Sequence, residues 1–406
     1  MSRSLVGLDP ARTLDPAPYM LGGRAPRLAL RPASAEEAGE ALRAATRDGL
    51  AVVPWGGGSK LARGSAPTRY DLALDLSGLD RVVEYDPEDL TLTAQCGVRL
   101  EALREIVSAR GQELPLESAH AARATLGGVL ATNDSGPRRL RLGSPRDRIL
   151  GARFALADGT LARSGGKVVK NVAGFAIQRL LCGSRGGLAV VLEASLKLLP
   201  APETRVALVH EVTREGLGDA QRWAFLPWLE PSYVTVLGAE AAEGRVPRSG
   251  AAERFTVVIG LEDDAVWVAE QERRVAAALG EPATRLTGSD AASLPQSLAD
   301  ASDAGTSSVT FTTAHNTPAA LAPLATRAEA SRLVFHAPAG RLHWFPSAAD
   351  ATALVLDCFG LGFTPIATAG GATYQPAIAP EVGLLDLRRR LRAALDPTGT
   401  LALGDV

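Results

Sequence analysis

Three consecutive glycines, Gly56-Gly57-Gly58, directly follow an apolar run that ends Val52-Val53-Pro54. Consecutive glycines weaken helix and strand alike, so bare backbone is kept there for a reason. Backbone N–H groups with no side chains in front of them can form a concave nest for phosphate oxygens. Two familiar phosphate motifs fail on residue identity. A P-loop needs a Gly-Lys pair followed by Ser or Thr, whereas Lys60 follows Ser59 and precedes Leu61, and Gly166-Lys167 leads into Val168. A G-x-G-x-x-G dinucleotide fingerprint needs glycine at position 61, which is Leu61. An amide nest survives, and so does an ordinary surface turn.

Two further segments share this character. "TLGGVLATNDSG" (125–136) reads as a short helix entered through Gly127-Gly128, and "LLCGSRGGLAVVLEASLKLLP" (180–200) as a glycine turn into a strand. Each alone passes for a helix start or a hairpin. Together, around a strand-rich frame, they point to one ligand site. Metal chemistry finds little support. The five histidines, His120, His210, His315, His336 and His343, show no metal-ligand spacing, and Cys96, Cys182 and Cys358 are far apart with no C-x-x-C.

The elements that would position these segments follow from periodicity and punctuation. Residues 27–32 read as a strand, and Ser34 with Glu37 has capping-box spacing at the start of a helix that stops at Gly49. Leu50 to Val53 is a second strand, which places the triple glycine after a strand–helix–strand unit. Strands at 70–76 and within 80–95 and a helix over 100–110 follow. Strands at 149–157 and 160–164 meet at an Asp158-Gly159 hairpin, and 188–199 closes the set. Past residue 203 the texture changes. Strand-like runs (206–213, 232–238, 254–261, 307–313, 332–337, 341–346) alternate with helical ones (216–226, 264–279, 347–359), the stretch 281–308 reads as polar loop, and 380–395 as a last helix.

At 406 residues the chain has room for two or three domains. Its 46 % hydrophobic and 22 % charged residues are ordinary for a globular protein, and a net charge of −2 gives no general attraction to nucleic acid or anionic membrane. The arginine run Arg138, Arg139, Arg141, Arg146, Arg148 is short and lacks stacking aromatics. It fits a loop near phosphates or a docking face for a partner subunit better than a nucleic-acid stripe. No signal-peptide core and no apolar run of about 18–20 residues is present, and a reduced cytoplasmic setting, peripheral to membrane at most through partners, is expected.

With these motifs in view, residues 27–200 resemble the FAD-binding domain of the vanillyl-alcohol oxidase/p-cresol methylhydroxylase-type flavoproteins. "VVPWGGGSK" resembles the family's pyrophosphate loop, and "ATLGGVLATNDSGPRRLRLGSPRDRILGARFALADG" its second FAD segment. "SGGKVVKNVAGFAIQRLLCGSRGGLAVVLEASLKLLP" is similar to the FAD-binding subunit of bacterial glycolate oxidase. The resemblance implies an α+β fold: a two-subdomain FAD-binding domain over 1–203, an α+β cap over 204–375 for substrate, and a C-terminal helix and tail over 376–406 returning to the FAD domain. It implies that Pro54, Trp55, Gly56, Gly57, Gly58 and Ser59 wrap the pyrophosphate. Thr125, Gly127, Gly128, Asn133, Asp134 and Gly136 would line the diphosphate and flavin ring, and Ala189 and Val191 would border the dinucleotide. No histidine stands in the first loop, where covalently flavinylated relatives attach the ring, so noncovalent FAD is expected. Two departures stand out. The family's Gly-Ser-Glu-Gly-Thr-Leu-Gly reads Gly183-Ser184-Arg185-Gly186-Gly187-Leu188-Ala189, and its Asn-Pro-Gly near the C-terminus reads Leu403-Gly404-Asp405.

Such a flavin oxidising a 2-hydroxy acid needs a carboxylate anchor and a proton acceptor, usually Arg and His. The family's metal signature, similar to H-x-G-D-G-N-x-H, is absent. His343 is the candidate base, Arg341 the candidate anchor, and Tyr374 a residue that could face the flavin. Three readings stay open: an FAD-binding subunit of a glycolate oxidase-type complex beside a second flavin subunit and an iron–sulfur subunit; a self-sufficient 2-hydroxy-acid dehydrogenase; and a flavin-binding scaffold.

Overall fold

The structure, a computed structural model, describes residues 10–63, 66–167, 174–249, 253–303, 308–314, 317–337, 339–345, 351–369 and 382–403. Three larger sheets organise them, beside a two-stranded ladder of Gln112–Glu113 with Leu199–Pro200. In the first, strands Thr13–Leu14, Leu28–Leu30, Leu72–Asp75 and Val52–Trp55 lie side by side in that order, and the last three are parallel. The crossover helix Ala35–Arg47 starts where Ser34 Oγ accepts the Glu37 N–H at 3.1 Å. Glu37 reaches back to the N–H of Ala33 at 2.8 Å, one residue beyond the expected box partner. Its face of Ala38, Ala41, Leu42 and Ala45 is sealed against the sheet.

The second sheet is antiparallel, in the order Val82–Asp86, Thr91–Gln95, Val190–Lys197, Ile149–Ala155, Leu161–Gly165. Val190–Lys197 is its middle strand, so the glycine turn before it opens onto the sheet's centre. Helices Leu100–Ser108 and Leu126–Thr132 pack on one core with it. The chain end then returns. Val52 N–H donates to Thr400 O at 2.7 Å and Ala402 N–H to Val52 O at 2.8 Å, so the tail lies beside the strand that carries the triple glycine. Asp396 holds this hook by accepting the N–H groups of Thr400 and Leu401, both at 2.8 Å.

The third sheet has eight antiparallel strands in the order Thr284–Thr287, Thr204–Val212, Phe255–Asp263, Tyr233–Leu237, Leu333–His336, Arg341–Trp344, Ser308–Thr313, Phe363–Ala369. Both faces are covered. Val206, Leu208 and Val212 pack under helix Ala265–Leu279, while Ala207 and Val209 face helix Gly288–Ala301. That second helix corrects the reading of 281–308 as loop. Ala291, Leu294, Leu298 and Ala301 recur at helical spacing and are all buried, but Ser, Asp and Gln residues between them and Pro295 within the helix masked the period. The expected helix over 216–226 also shrinks. Only Arg214–Gly218 is α-helical, with a 3-10 turn at Leu226–Trp228, as Gly216, Gly218 and Pro227 would favour. Among the described residues no helix is long and apolar enough to cross a membrane.

The arginine run acts at the seam between the third sheet and the rest. Arg138 is buried among three carboxylates: Glu117 at 2.6 Å, Glu113 at 2.5 Å and Glu262, on the third sheet, at 3.1 Å. Its own N–H also donates to Glu117 at 2.9 Å. Arg141 pairs with Asp263 at 3.3 Å, and Arg148 donates to the carbonyl of Leu142. Arg138 is therefore an internal counter-ion, while Arg141 and Arg146 stay exposed and none of the five arginines lines the glycine-bearing cleft described below. With the guanidinium gone, three buried carboxylates lose their counter-charge. Arg138→Met is expected to cost about 3–5 kcal/mol of stability, measured by urea unfolding. A loss under about 1 kcal/mol would show that the cluster holds nothing together.

Candidate functional site: a flavin cleft and a buried charge seam

The three glycine-bearing segments converge on one cleft that opens to solvent. Its walls include Pro54 to Leu61, Thr125, Gly127 and Gly128, Ser184 to Gly186, Ala189 to Val191, and Leu403 from the returning tail. Packing explains the first two glycines of the triple. A Cβ on Gly56 would strike Thr125 Oγ1, and one on Gly57 would run into the carbonyl oxygen of Arg123. Gly58 has φ +69°, and Trp55's indole closes over it. The indole is itself braced by Tyr19, edge-on at 5.2 Å, whose hydroxyl donates to Asp75 at 2.7 Å.

Donor accounting separates the amides. Gly127 N–H is spent on Cys96 O at 2.8 Å, and Gly128 N–H on Thr125 Oγ1 at 3.3 Å. The N–H groups of Gly57, Gly58 and Ser59 donate to no described residue. A second unmet donor borders the same cleft: Nη2 of Arg185 is buried without a partner among the described residues. Free amides and an unpaired guanidinium around a largely apolar cleft are the donor set a diphosphate-bearing aromatic dinucleotide requires.

Asn133, Asp134 and Gly136 lie outside the walls of this cleft. Asn133 takes a left-handed turn (φ +48°), and its Oδ1 accepts the Arg146 N–H at 3.1 Å. A Cβ on Gly136 would press into Glu117. Asp134 is the centre of a buried ionic network. It receives Arg63 at 2.7 Å and the Ser118 hydroxyl at 2.6 Å, with Lys60 Nζ at 3.6 Å. Arg63 and Lys60 also reach Asp303, at 3.2 and 3.7 Å, just past helix Gly288–Ala301, and His120 faces the same carboxylate at 3.5 Å. Lys60 donates to Ala119 O at 2.7 Å. Although burial alone would raise the Asp134 carboxyl, Arg63 and Lys60 hold it well below the usual range. The one sequence signal for this network was a lysine directly after the glycine loop in a chain with four lysines.

The strand Arg341–Trp344 lies near enough to Asp134, Arg63 and Arg139 for their charges to act on it. His343 Nδ1 meets Thr310 Oγ1 at 3.1 Å, and its ring lies 5.6 Å from that of His336, edge to face. His336 is held at both nitrogens, by Thr235 Oγ1 at 2.9 Å and Ser302 Oγ at 3.0 Å. Burial keeps both imidazoles neutral, His336 pushed down to about 3 and His343 well below its ordinary value, with the positive charges of Arg63 and Arg341 adding to the effect on His343. Burial and the nearby Arg139 bring Arg341 down to about 10. Among the described residues no carboxylate lies within ion-pair distance of Arg341. Tyr374 lies outside the described residues.

The family model described as an FAD binding domain matches residues 26–165. This part of the chain is an FAD-binding domain. Its cofactor is FAD, and its fold is that of the p-cresol methylhydroxylase-type flavoproteins. A substrate-bound p-cresol methylhydroxylase superposes with TM-score 0.72 at 17 % identity, covering 94 % of this chain and 88 % of that one. An alkyldihydroxyacetonephosphate synthase gives 0.68 at 18 % identity, over 93 % of this chain and 76 % of the other. In sequence, the chain resembles glycolate oxidase subunit GlcE of Escherichia coli, 37 % identical over 190 residues, 46 % of this chain and 54 % of that protein. Subunit GlcD of Bacillus subtilis is 35 % identical over 184 residues, 45 % of this chain and 39 % of the relative. A D-lactate dehydrogenase of Archaeoglobus fulgidus is 29 % identical over 285 residues, 66 % of this chain and 62 % of its own length. The matches span between about two fifths and three fifths of these relatives.

Two outcomes follow from the site. Gly57→Ala drives a methyl group into the Arg123 carbonyl and is expected to strip the purified protein of flavin, read as the absorbance ratio near 450 and 280 nm. Gly360→Ala, where a Cβ meets open space at an exposed helical position, should keep the flavin and serves as the control. The second concerns acid. His336 is pushed down to about 3 and His210, also buried, to about 4, so protons favour the unfolded chain. The stability these neutral rings contribute is complete above about pH 6.5 and is lost as pH falls from there through the folded values. In His336→Asn the fall in unfolding free energy between pH 6 and 4.5 should be shallower by up to ~1.4 kcal/mol per pH unit. An unchanged slope would mean that His336 is already protonated in the fold.

Proposed function

We propose that this chain is the FAD-binding subunit of a glycolate oxidase-type complex that oxidises a small 2-hydroxy acid. The observation that carries the reading is the position of Asp134. It joins the loop bearing the cleft's free amides, through Lys60, to the field around an unpaired guanidinium and a neutral imidazole on a neighbouring strand. Similarity to proteins named glycolate oxidase subunits, D-lactate dehydrogenase and D-2-hydroxyglutarate dehydrogenase supports the substrate class.

In this reading the substrate carboxylate pairs with Arg341, which has no carboxylate partner among the described residues. His343 accepts the hydroxyl proton at its imidazole, while Thr310 fixes the ring at Nδ1. Anion binding also tunes the base. The positive charge of Arg341 is one cause of the depressed His343 value, so a carboxylate seated there raises the basicity of the ring when the proton must move. What FAD supplies when bound is a two-electron acceptor for the hydride on the substrate's α-carbon, leaving a 2-oxo acid. The FAD is noncovalent, since the loop Pro54 to Ser59 offers no histidine. The partners are a second flavin subunit and an iron–sulfur subunit that takes the electrons, in the cytoplasm.

The test is anaerobic mixing of the purified flavoprotein with glycolate or D-lactate, alone and with its partner subunits. Bleaching only in the complex supports the reading, bleaching by the chain alone replaces it with a self-sufficient dehydrogenase, and silent flavin in an active complex makes the chain a scaffold. Arg341→Met is expected to raise KM by roughly 10- to 100-fold with the flavin spectrum intact, and His343→Gln to lower kcat instead. Unchanged constants in both variants would sink the assignment of these residues.

A further inference from the structure

We infer that Arg185 is the counter-charge for the cofactor's diphosphate, a role bare glycine amides would otherwise fill alone. The inference rests on FAD occupying the cleft, and on nothing about the substrate. Two cations line that cleft. Lys60 is already engaged by Ala119 O, Asp134 and Asp303. Arg185 is not: its Nη2 is buried and has no partner among the described residues, and burial is what lowers its guanidinium from the usual value.

The backbone fixes it there. Arg185 takes a left-handed conformation (φ +55°), and its N–H donates to Ala131 O at 2.7 Å. A Cβ on the next residue, Gly186, would lie 3.1 Å from Pro54, so this turn packs against the root of the glycine loop. The guanidinium and the free N–H groups of Gly57, Gly58 and Ser59 therefore border one space. Oxidised FAD carries its negative charge on its two phosphates alone. An unpaired buried cation is costly, and an arginine in a strained backbone position is best explained by a ligand that supplies the missing anion.

The test compares FAD with riboflavin, which has the same ring and no phosphate, on flavin-free wild-type, Arg185→Gln and Arg185→Lys proteins by fluorescence titration. Arg185→Gln should weaken FAD roughly 10- to 100-fold, leave riboflavin unchanged, and flatten the salt dependence of FAD binding, with Arg185→Lys intermediate. Flavin-free Arg185→Gln should melt no lower than flavin-free wild type, because the substitution removes an unpaired charge. Undiminished FAD affinity in Arg185→Gln overturns the inference, as does an equal loss for riboflavin, which would mark a structural role. A wild-type chain that takes up riboflavin as tightly as FAD overturns it too, and leaves the flavin site standing.

Discussion

Charge taken out of water must find charge, and that requirement holds the two halves of this molecule in register. Neither Arg138 nor Asp134 could be buried alone. Arg138 gathers Glu113 and Glu117 from its own half and Glu262 from the eight-stranded sheet, while Asp134 shares Arg63 and Lys60 with Asp303 at the end of a helix that covers that sheet. Hydrophobic packing builds each sheet's core. These ionic clusters fix where the cores meet, because an ion pair tolerates little sliding before its distances fail. The cleft and the strand Arg341–Trp344 are placed relative to each other by this seam.

Much of the frame was legible in the residues. Apolar alternation and glycine punctuation gave most strands of the three sheets but not Thr13–Leu14, Thr284–Thr287 or Phe363–Ala369, and the Ser34 cap and the Asp158-Gly159 turn formed as their chemistry dictates. What failed was pattern diluted by polar residues, as in the helix Gly288–Ala301, whose buried stripe relies on two alanines and carries a proline. The seam was opaque for another reason. Arg138, Lys60 and Asp303 are separated by tens to hundreds of residues, and a charged side chain in a sequence reads as surface until its partner is found. The glycines were clear as a cluster but not in what each one does, since Gly56 and Gly57 serve the fit of two segments against each other.

The same accounting of donors and charges divides the site. The cofactor end offers amides and one bare guanidinium to an anion. The end near Arg341 offers another guanidinium beside a ring kept neutral. In the proposed function one end holds a permanent guest and the other a visitor, since a resident anion at Arg341 would cancel the very charge that a transient one must find.

The hook formed by Thr400 to Leu403 ties the cleft to synthesis. The strand carrying the glycine loop is completed on one side by residues that follow it by roughly 350 positions, and Leu403 is itself part of the cleft wall. A ribosome must therefore release the residues through Leu403 before that wall exists, and until then the strand that carries the glycine loop has an unpaired edge of the kind that invites misassociation.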